Sequence, residues 1–187
     1  MNTRTLGRPE PDEIPSHYVG YIKRVPESDP VMVCAEQIEE TANLLRGLSE
    51  KEAMYRYDRG KWSIKEVVGH LCDIERIMAY RALRIARGDT TPLPSFDENA
   101  YVPVAKFDGR SLVDLVGELR TARASTLALL RTFDADAWLR RGTASGKPVS
   151  VRALAFMIPG HERHHVDILR TRYGVGGAHV GGAAGAA

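Results

Sequence analysis

Four stretches of the chain repeat apolar residues at the spacing of an α-helix, and each begins with a residue that caps helices. Ser63, for example, is followed three positions later by Glu66, which is the arrangement of a capping box. Asp29 directly precedes Pro30, and proline is favoured at the first helical position. The four predicted helices begin near Ser28, Ser63, Ser111 and Ser150. Four amphipathic helices in a chain of 187 residues predict an all-α fold, a four-helix bundle.

The stretches outside these helices divide the chain into three parts. Residues 1–28 are rich in proline and polar residues and predict an irregular N-terminal arm. Residues 29–173 contain the bundle, and residues 174–187 form a Gly/Ala-rich segment that predicts a flexible tail. Within the bundle, residues 89–110 and 134–149 predict two long loops, and signals for β-strands are few.

Composition argues against several classes of protein. The formal net charge is +2 and no cluster of basic residues stands out, so we expect no nucleic-acid partner. The two cysteines, Cys34 and Cys72, are too few for a disulfide framework and fit a reduced, cytoplasmic setting. The N-terminus lacks the apolar run of a signal peptide, and no stretch of about eighteen apolar residues occurs, so we expect no membrane span.

Two histidines lie in the middle of the apolar face of the fourth predicted helix. His161 and His165 are one turn apart, about 6 Å along the axis, so both rings can reach one metal ion. A hydrogen-bonded pair of core histidines is the alternative for this spacing. His164 lies about 100° around the helix from His165, at the edge of the apolar face, so we predict that it is not a ligand.

The same residues match H-E-x-x-H, a pattern that supplies two ligands and a base in zinc metalloproteases. Those proteases need a third ligand downstream, and no glutamate follows Glu162 in this chain. We therefore expect the third ligand upstream, at His70 on the second helix, which can neighbour the fourth helix in a bundle. Three histidines leave a coordination position open, as in catalytic sites. Glu162 would then lie nearby as a base or as a hydrogen-bond acceptor.

Three segments carry a resemblance to a known family: KWSIKEVVGHLCDIERIMAYRALRIARGD, LPSFDENAYV and SVRALAFMIPGHERHHVDILRTRYG. In this order they resemble the DinB-like superfamily of metal-dependent hydrolases and thiol-dependent transferases, over roughly residues 18–173. The family's histidines map onto His70, His161 and His165. The resemblance implies an up-down-down-up bundle with a divalent metal ion at one end. Three neutral imidazoles suit zinc, nickel, copper or ferrous iron. The resemblance also implies a small-molecule substrate and a homodimer.

The resemblance leaves three functions open. Some members are transferases that hold a low-molecular-weight thiol, such as bacillithiol, mycothiol or glutathione, on the metal as a nucleophilic thiolate. The same site with water would generate hydroxide and hydrolyse its substrate. A non-enzymatic metal-binding stress-response protein is the third interpretation. For the two enzymes, the family places the loop at residues 97–101 near the metal, and we expect substrate contacts from Arg81, Asn99 and Tyr101.

A buried ion pair is predicted between the second and third helices. Glu75 and Arg123 each fall at the centre of the apolar face of their helix, where a lone charge would be very costly. Two opposite charges on facing helices satisfy each other, because a planar guanidinium can bind a carboxylate through two hydrogen bonds.

Overall fold

The computed structural model describes residues 7–177 of the chain. Within those residues, eight α-helices and one two-stranded antiparallel sheet make up the regular structure. The helices are α1 (Val19–Ile22), α2 (Pro30–Leu45), α3 (Glu50–Ala53), α4 (Ile64–Ala86), α5 (Glu98–Ala105), α6 (Leu112–Leu130), α7 (Ala135–Leu139) and α8 (Val151–Thr171). The strands are β1 (Arg141–Ala144) and β2 (Lys147–Ser150). Short 3-10 turns cover Pro11–Glu13, Ser16–Tyr18 and Phe107–Gly109.

The four long helices, α2, α4, α6 and α8, begin where the sequence predicts. The Asp29 side chain accepts two backbone N–H bonds in the first turn of α2. Ser63 and Glu66 form the reciprocal capping box of α4. The hydroxyls of Ser111 and Ser150 each accept one backbone N–H bond at the start of α6 and α8. These caps satisfy helix-end donors that would otherwise lack partners. The all-α, four-helix prediction is confirmed.

The directions of the four helices follow from which residues meet. Where two neighbouring helices are parallel, the residue numbers of contacting pairs rise together, and where they are antiparallel one number falls. By this criterion α4 is parallel to α6, α2 is parallel to α8, and α2 is antiparallel to α6, so the bundle is up-down-down-up. The contacting pairs are Cys72–Leu115, Glu75–Arg123, Gln37–Pro159, Thr41–Glu162, Cys34–Arg123 and Glu39–Arg120.

The inward faces of the long helices form the hydrophobic core, and their outward faces carry most of the charged residues. The largest fully buried apolar side chains include Ile64, Met78, Leu115, Leu154 and Phe156. Because polar residues recur along every outward face, no helix within residues 7–177 has the apolar length needed to cross a membrane.

The N-terminal arm differs from the irregular segment expected for residues 1–28. Its described part folds into two 3-10 turns and α1, and α1 packs along α8. Tyr18 is buried there, and the Glu13 carboxylate accepts hydrogen bonds from Ser150 and Arg152 at the start of α8. The arm has too few apolar residues to make a periodic pattern, so periodicity could not reveal that it packs on the bundle.

Gly160 in α8 permits the contact between the arm and the bundle. A β-carbon at this position would lie 2.2 Å from the carbonyl oxygen of Tyr21, so only glycine allows the two backbones to come this close. The preceding residue, Pro159, lies inside a helix that is continuous over Val151–Thr171. Its carbonyl accepts a hydrogen bond from the Gln37 side chain on α2.

The two predicted long loops contain regular structure. α5 lies within residues 89–110, and α7 and most of the β-hairpin lie within residues 134–149. Each strand has only four residues, which is too short to give a clear alternating pattern in the sequence. At the C-terminus Val175 is buried against the core, and residues 178–187 of the predicted tail lie outside the described residues.

Candidate metal centre

Three histidines from two antiparallel helices converge inside the bundle. His70 comes from α4, and His161 and His165 come from consecutive turns of α8. Their ligand-capable nitrogen atoms all lie within 4.8 Å of one another, and the Nε2 atoms of His70 and His161 are 3.1 Å apart. Two ligands of a tetrahedral zinc ion, each about 2.0–2.1 Å from the metal, would be about 3.3 Å apart. The His70–His161 pair has nearly this spacing, and the group of three could hold one divalent ion.

Burial keeps the three imidazoles neutral. It lowers the pKa of His70 to about 4. It also lowers the pKa values of His161 and His165 well below their usual range, with a further contribution from the neighbouring imidazoles. At neutral pH each ring therefore has a nitrogen lone pair available to a metal ion, and no proton has to be displaced first.

The three rings line part of the wall of a cavity of about 260 Å³. Trp62 packs against His70 with ring centroids 4.8 Å apart, and Tyr21 packs edge-on against His161 at 5.2 Å. The volume is close to the lower limit of small-molecule sites, which span about 300–1,000 Å³. Further lining residues are Tyr18, Ile74, Met78, Arg81, Phe96 and Met157.

Arg81, predicted as a substrate contact, places a guanidinium group at the wall of the same cavity. The side chain is buried and donates three hydrogen bonds. Its acceptors are the Tyr18 hydroxyl at 2.9 Å, the Pro94 carbonyl at 2.7 Å and the Ser145 hydroxyl at 3.0 Å. The guanidinium carbon also lies 5.2 Å from the centroid of the Phe96 ring, within the range of a cation–π contact.

The sequence itself identifies the family. A model of the DinB superfamily matches residues 35–169, a stretch that contains all three histidines. The chain belongs to the DinB superfamily. The family resemblance inferred from the motif segments is therefore confirmed. A search of curated proteins found no match to this DinB-superfamily chain.

Two solved structures share the fold of this DinB-superfamily chain. YfiT from Bacillus subtilis, described as "a probable metal-dependent hydrolase with an unusual four-helix bundle topology", aligns with a TM-score of 0.65 and 19% identity, over 90% of this chain and 95% of YfiT. The mycothiol-dependent maleylpyruvate isomerase aligns with a TM-score of 0.63 and 16% identity, over 84% of this chain. The alignment covers only 63% of that isomerase. At these identities the comparisons establish the fold and not the activity.

Glu162, predicted to lie near the metal as a base or acceptor, points away from the cavity into the bundle interior. Its carboxylate accepts hydrogen bonds from Thr41 at 2.5 Å and from Arg123 at 2.7 Å, and it is not among the residues that line the cavity. Arg123 also binds Glu75 through hydrogen bonds of 2.8 and 2.9 Å, so the predicted ion pair is confirmed. Both oxygens of Glu162 are therefore occupied by contacts within the bundle.

The loop residues predicted as substrate contacts lie outside the cavity. Asn99 is exposed on α5, and Tyr101 lines a neighbouring hollow that shares Arg81 and Phe96 with the cavity. Glu98, one position before Asn99, does line the cavity. Because these residues belong to a helix, neighbouring side chains point about 100° apart, which an interpretation of this segment as a loop could not anticipate.

His164 lines the cavity but does not belong to the three-histidine group. Its ring packs edge-on against Tyr21, with centroids 5.3 Å apart. The cavity is also lined by three residues that were not predicted from the sequence, Tyr18, Tyr21 and Trp62. The only signal for the two tyrosines was their aromatic character in an otherwise polar arm, and Trp62 directly precedes the capping residue of α4.

Proposed function

We propose that this chain is a metal-dependent transferase that activates a low-molecular-weight thiol at His70, His161 and His165. The observation that carries the proposal is the convergence of three neutral imidazoles at the wall of an accessible cavity. Three protein ligands leave a coordination position for a ligand from outside the chain, as catalytic sites do and closed structural sites do not. Imidazole ligands suit zinc, nickel and ferrous iron, which are the candidate ions.

A bound divalent ion would promote loss of the proton of a coordinated thiol at neutral pH and so supply a nucleophile. The chain's own residues position the reactants and limit the access of water. Ile74, Met78 and Met157 line the cavity with apolar groups. The thiol has to come from a second molecule, because Cys34 and Cys72 are buried and do not line the cavity.

Hydrolysis is the second candidate, and Glu98 favours it. This carboxylate lines the cavity, where it can accept a proton from a water molecule that attacks a substrate. The description of YfiT as a probable metal-dependent hydrolase supports the same candidate. The name of the mycothiol-dependent isomerase supports the thiol-dependent proposal instead.

Metal analysis followed by two parallel assays tests both candidates. Protein purified without a histidine tag is analysed for bound metal. It is then assayed with monochlorobimane and a panel of thiols, and separately with an ester panel without thiol. In the first assay the thiol sulfur bonds to the carbon that carries chlorine, chloride leaves, and the thiol proton passes to solvent. Metal-dependent thiol transfer supports the proposal.

The controls separate the remaining outcomes. Thiol transfer should disappear in His161→Ala and persist in His164→Ala. Metal-dependent ester hydrolysis that is lost in Glu98→Gln, without thiol transfer, would replace the proposal by the hydrolase. Bound metal with neither activity would favour the metal-binding stress-response protein. The proposal also includes a cytoplasmic setting, where small thiols are kept reduced. It further includes a small-molecule substrate and a homodimer.

A further inference from the structure

Arg81 is a buried cation without a carboxylate partner among the described residues. Only 2% of its surface is exposed, yet it forms no ion pair within residues 7–177. The acceptors of its hydrogen bonds are two hydroxyls and a backbone carbonyl, all of them uncharged. The bundle's other fully buried arginine, Arg123, contacts two carboxylates. A buried charge without an opposite charge is costly, so the cavity beside Arg81 favours an anionic occupant.

The surroundings of Arg81 hold its guanidinium in place. Ser145 lies in the turn between β1 and β2 with a positive φ of 52°, a conformation that glycine or asparagine usually adopts there. Its hydroxyl accepts one of the hydrogen bonds from Arg81, and the Phe96 ring contacts the guanidinium. Arg81 uses three of the five N–H donors of a guanidinium in these contacts, and the Nε hydrogen and one Nη1 hydrogen are not used by them.

The charges around the cavity also favour an anion. Arg81 is the one lysine or arginine among the described lining residues. Glu98 is the one carboxylate among the described lining residues. A divalent ion on the three histidines would add two positive charges to that of Arg81. A thiolate alone would leave part of this positive charge uncompensated.

We infer that Arg81 binds a carboxylate of the molecule that occupies the cavity. The ligands of the site are therefore small carboxylic acids, and the carboxylate belongs either to the thiol or to the electrophile. A guanidinium suits this role because a hydrogen bond from its cationic N–H group to a carboxylate oxygen is charge-assisted. The inference rests on the proposed function for the chemistry of the ligand, but the anion site itself does not require the metal.

Two short thiols that differ in one group test the inference on metal-loaded protein. Mercaptopropionate carries a carboxylate where mercaptopropanol carries a hydroxyl. Binding is followed by the fluorescence of Trp62, which lines the cavity, in a Trp138→Phe background that removes the chain's other tryptophan. We expect mercaptopropionate to bind about tenfold more tightly, as a charge-assisted contact would give. Equal affinities overturn the inference.

Two arginine variants separate a direct contact from general electrostatics. Arg81→Met should remove the preference for the carboxylate and leave the affinity for mercaptopropanol unchanged. Arg84→Met is the matched control, because Arg84 lies on the same helix, outside the cavity, and pairs with Asp89. It should keep the preference. Chelation of the metal by the carboxylate would also produce a preference, but one that persists in Arg81→Met, and that result overturns the inference.

Propionate, which has no thiol, separates this inference from the proposed function. On metal-free protein, propionate should change the Trp62 fluorescence in the Trp138→Phe background and not when Arg81→Met is added. Binding of propionate without binding of any thiol would leave the anion site standing and refute the thiol proposal. Thiol binding without binding of propionate would support the thiol proposal and refute the anion site at Arg81. Should Arg81→Met fail to fold, Arg81→Lys replaces it, and we expect a weakened preference.

A mixed titration identifies the molecule that carries the carboxylate. Metal-loaded protein is saturated with mercaptoethanol, and propionate is then added. Simultaneous binding of both assigns the carboxylate to the electrophile, because the thiol leaves the site of Arg81 free. Competition between them assigns the carboxylate to the thiol. If propionate does not bind under either condition, the inference is overturned.

Discussion

Arg123 binds Glu75 through two hydrogen bonds, of 2.8 and 2.9 Å, at the centre of the helical bundle. The same guanidinium donates to Glu162 at 2.7 Å and to the backbone carbonyl of Cys34 at 2.8 Å. One cation thus connects all four long helices. The network fixes α4 against α8, which are the two helices that carry the candidate metal ligands. We infer that these buried charges position the metal centre without taking part in its chemistry.

Loss of Arg123 should destabilise the protein strongly. Arg123→Met would leave two buried carboxylates without their cation, and breaking a buried pair in this way costs about 3–5 kcal/mol. Glu75→Gln should cost less, because the amide oxygen can still accept from Arg123 and Glu162 still balances its charge. Urea denaturation of both variants measures the free energies of unfolding. Equal and small effects would show that the network contributes little to stability.

Much of this interior could be predicted from helical periodicity. Glu75 and Arg123 fall at the centres of apolar faces, where a charge requires a partner. The four helices and their capping residues could also be predicted from the sequence, because each depends on a local pattern. The packing of the arm could not be predicted, since it depends on a close backbone contact at Gly160 and on isolated side chains such as Tyr21.

The ligand assignment predicts different effects for neighbouring histidines. His70→Ala, His161→Ala and His165→Ala should each remove most of the bound metal, because two remaining imidazoles hold a divalent ion poorly. His164→Ala should leave the metal near one ion per chain, because that ring does not belong to the converging group. Elemental analysis of protein purified without a histidine tag measures the metal content of each variant. A comparable loss of metal in His164→Ala would refute the assignment.

The two cysteines should be unreactive in the folded protein. Burial raises the pKa of Cys34 and that of Cys72 to about 12, so both thiols remain protonated and inaccessible at about pH 8. Mass spectrometry after treatment with iodoacetamide should show no alkylation without denaturant and two alkylated residues in urea. Alkylation of either cysteine in the folded state would indicate a thiol within the chain that could compete with an external one.

Glu13 should stabilise the protein in a pH-dependent manner. Burial alone would raise its pKa, but hydrogen bonds from Arg152 and Ser150 outweigh burial and hold the pKa below its usual range. A carboxyl whose pKa is lowered by folding stabilises the protein above its unfolded pKa, and this stabilisation is lost as the pH falls through the folded pKa. Glu13→Gln should therefore cost about 1.5–3 kcal/mol at neutral pH. The difference from the wild type should shrink below about pH 4. Urea denaturation at neutral pH and below about pH 4 measures the difference in free energy of unfolding. A difference independent of pH would contradict the role given to the Glu13 carboxylate.

Gly160→Ala should displace the arm from α8 and disturb the cavity. The new β-carbon would lie 2.2 Å from the Tyr21 carbonyl oxygen, which is backbone and cannot rotate away, so α1 has to shift. Overpacking of this kind costs about 1–3 kcal/mol.

Gly117→Ala is the matched control, because a β-carbon there meets nothing within 4 Å in the middle of α6. Alanine in a helix interior should stabilise the protein by up to about 1 kcal/mol relative to glycine. Urea denaturation gives both free energies, and the fluorescence of Trp62 reports the cavity, because Tyr21 and Trp62 line it together. An unchanged stability of Gly160→Ala, with an unchanged fluorescence spectrum, would mean that the arm does not pack against α8 in solution.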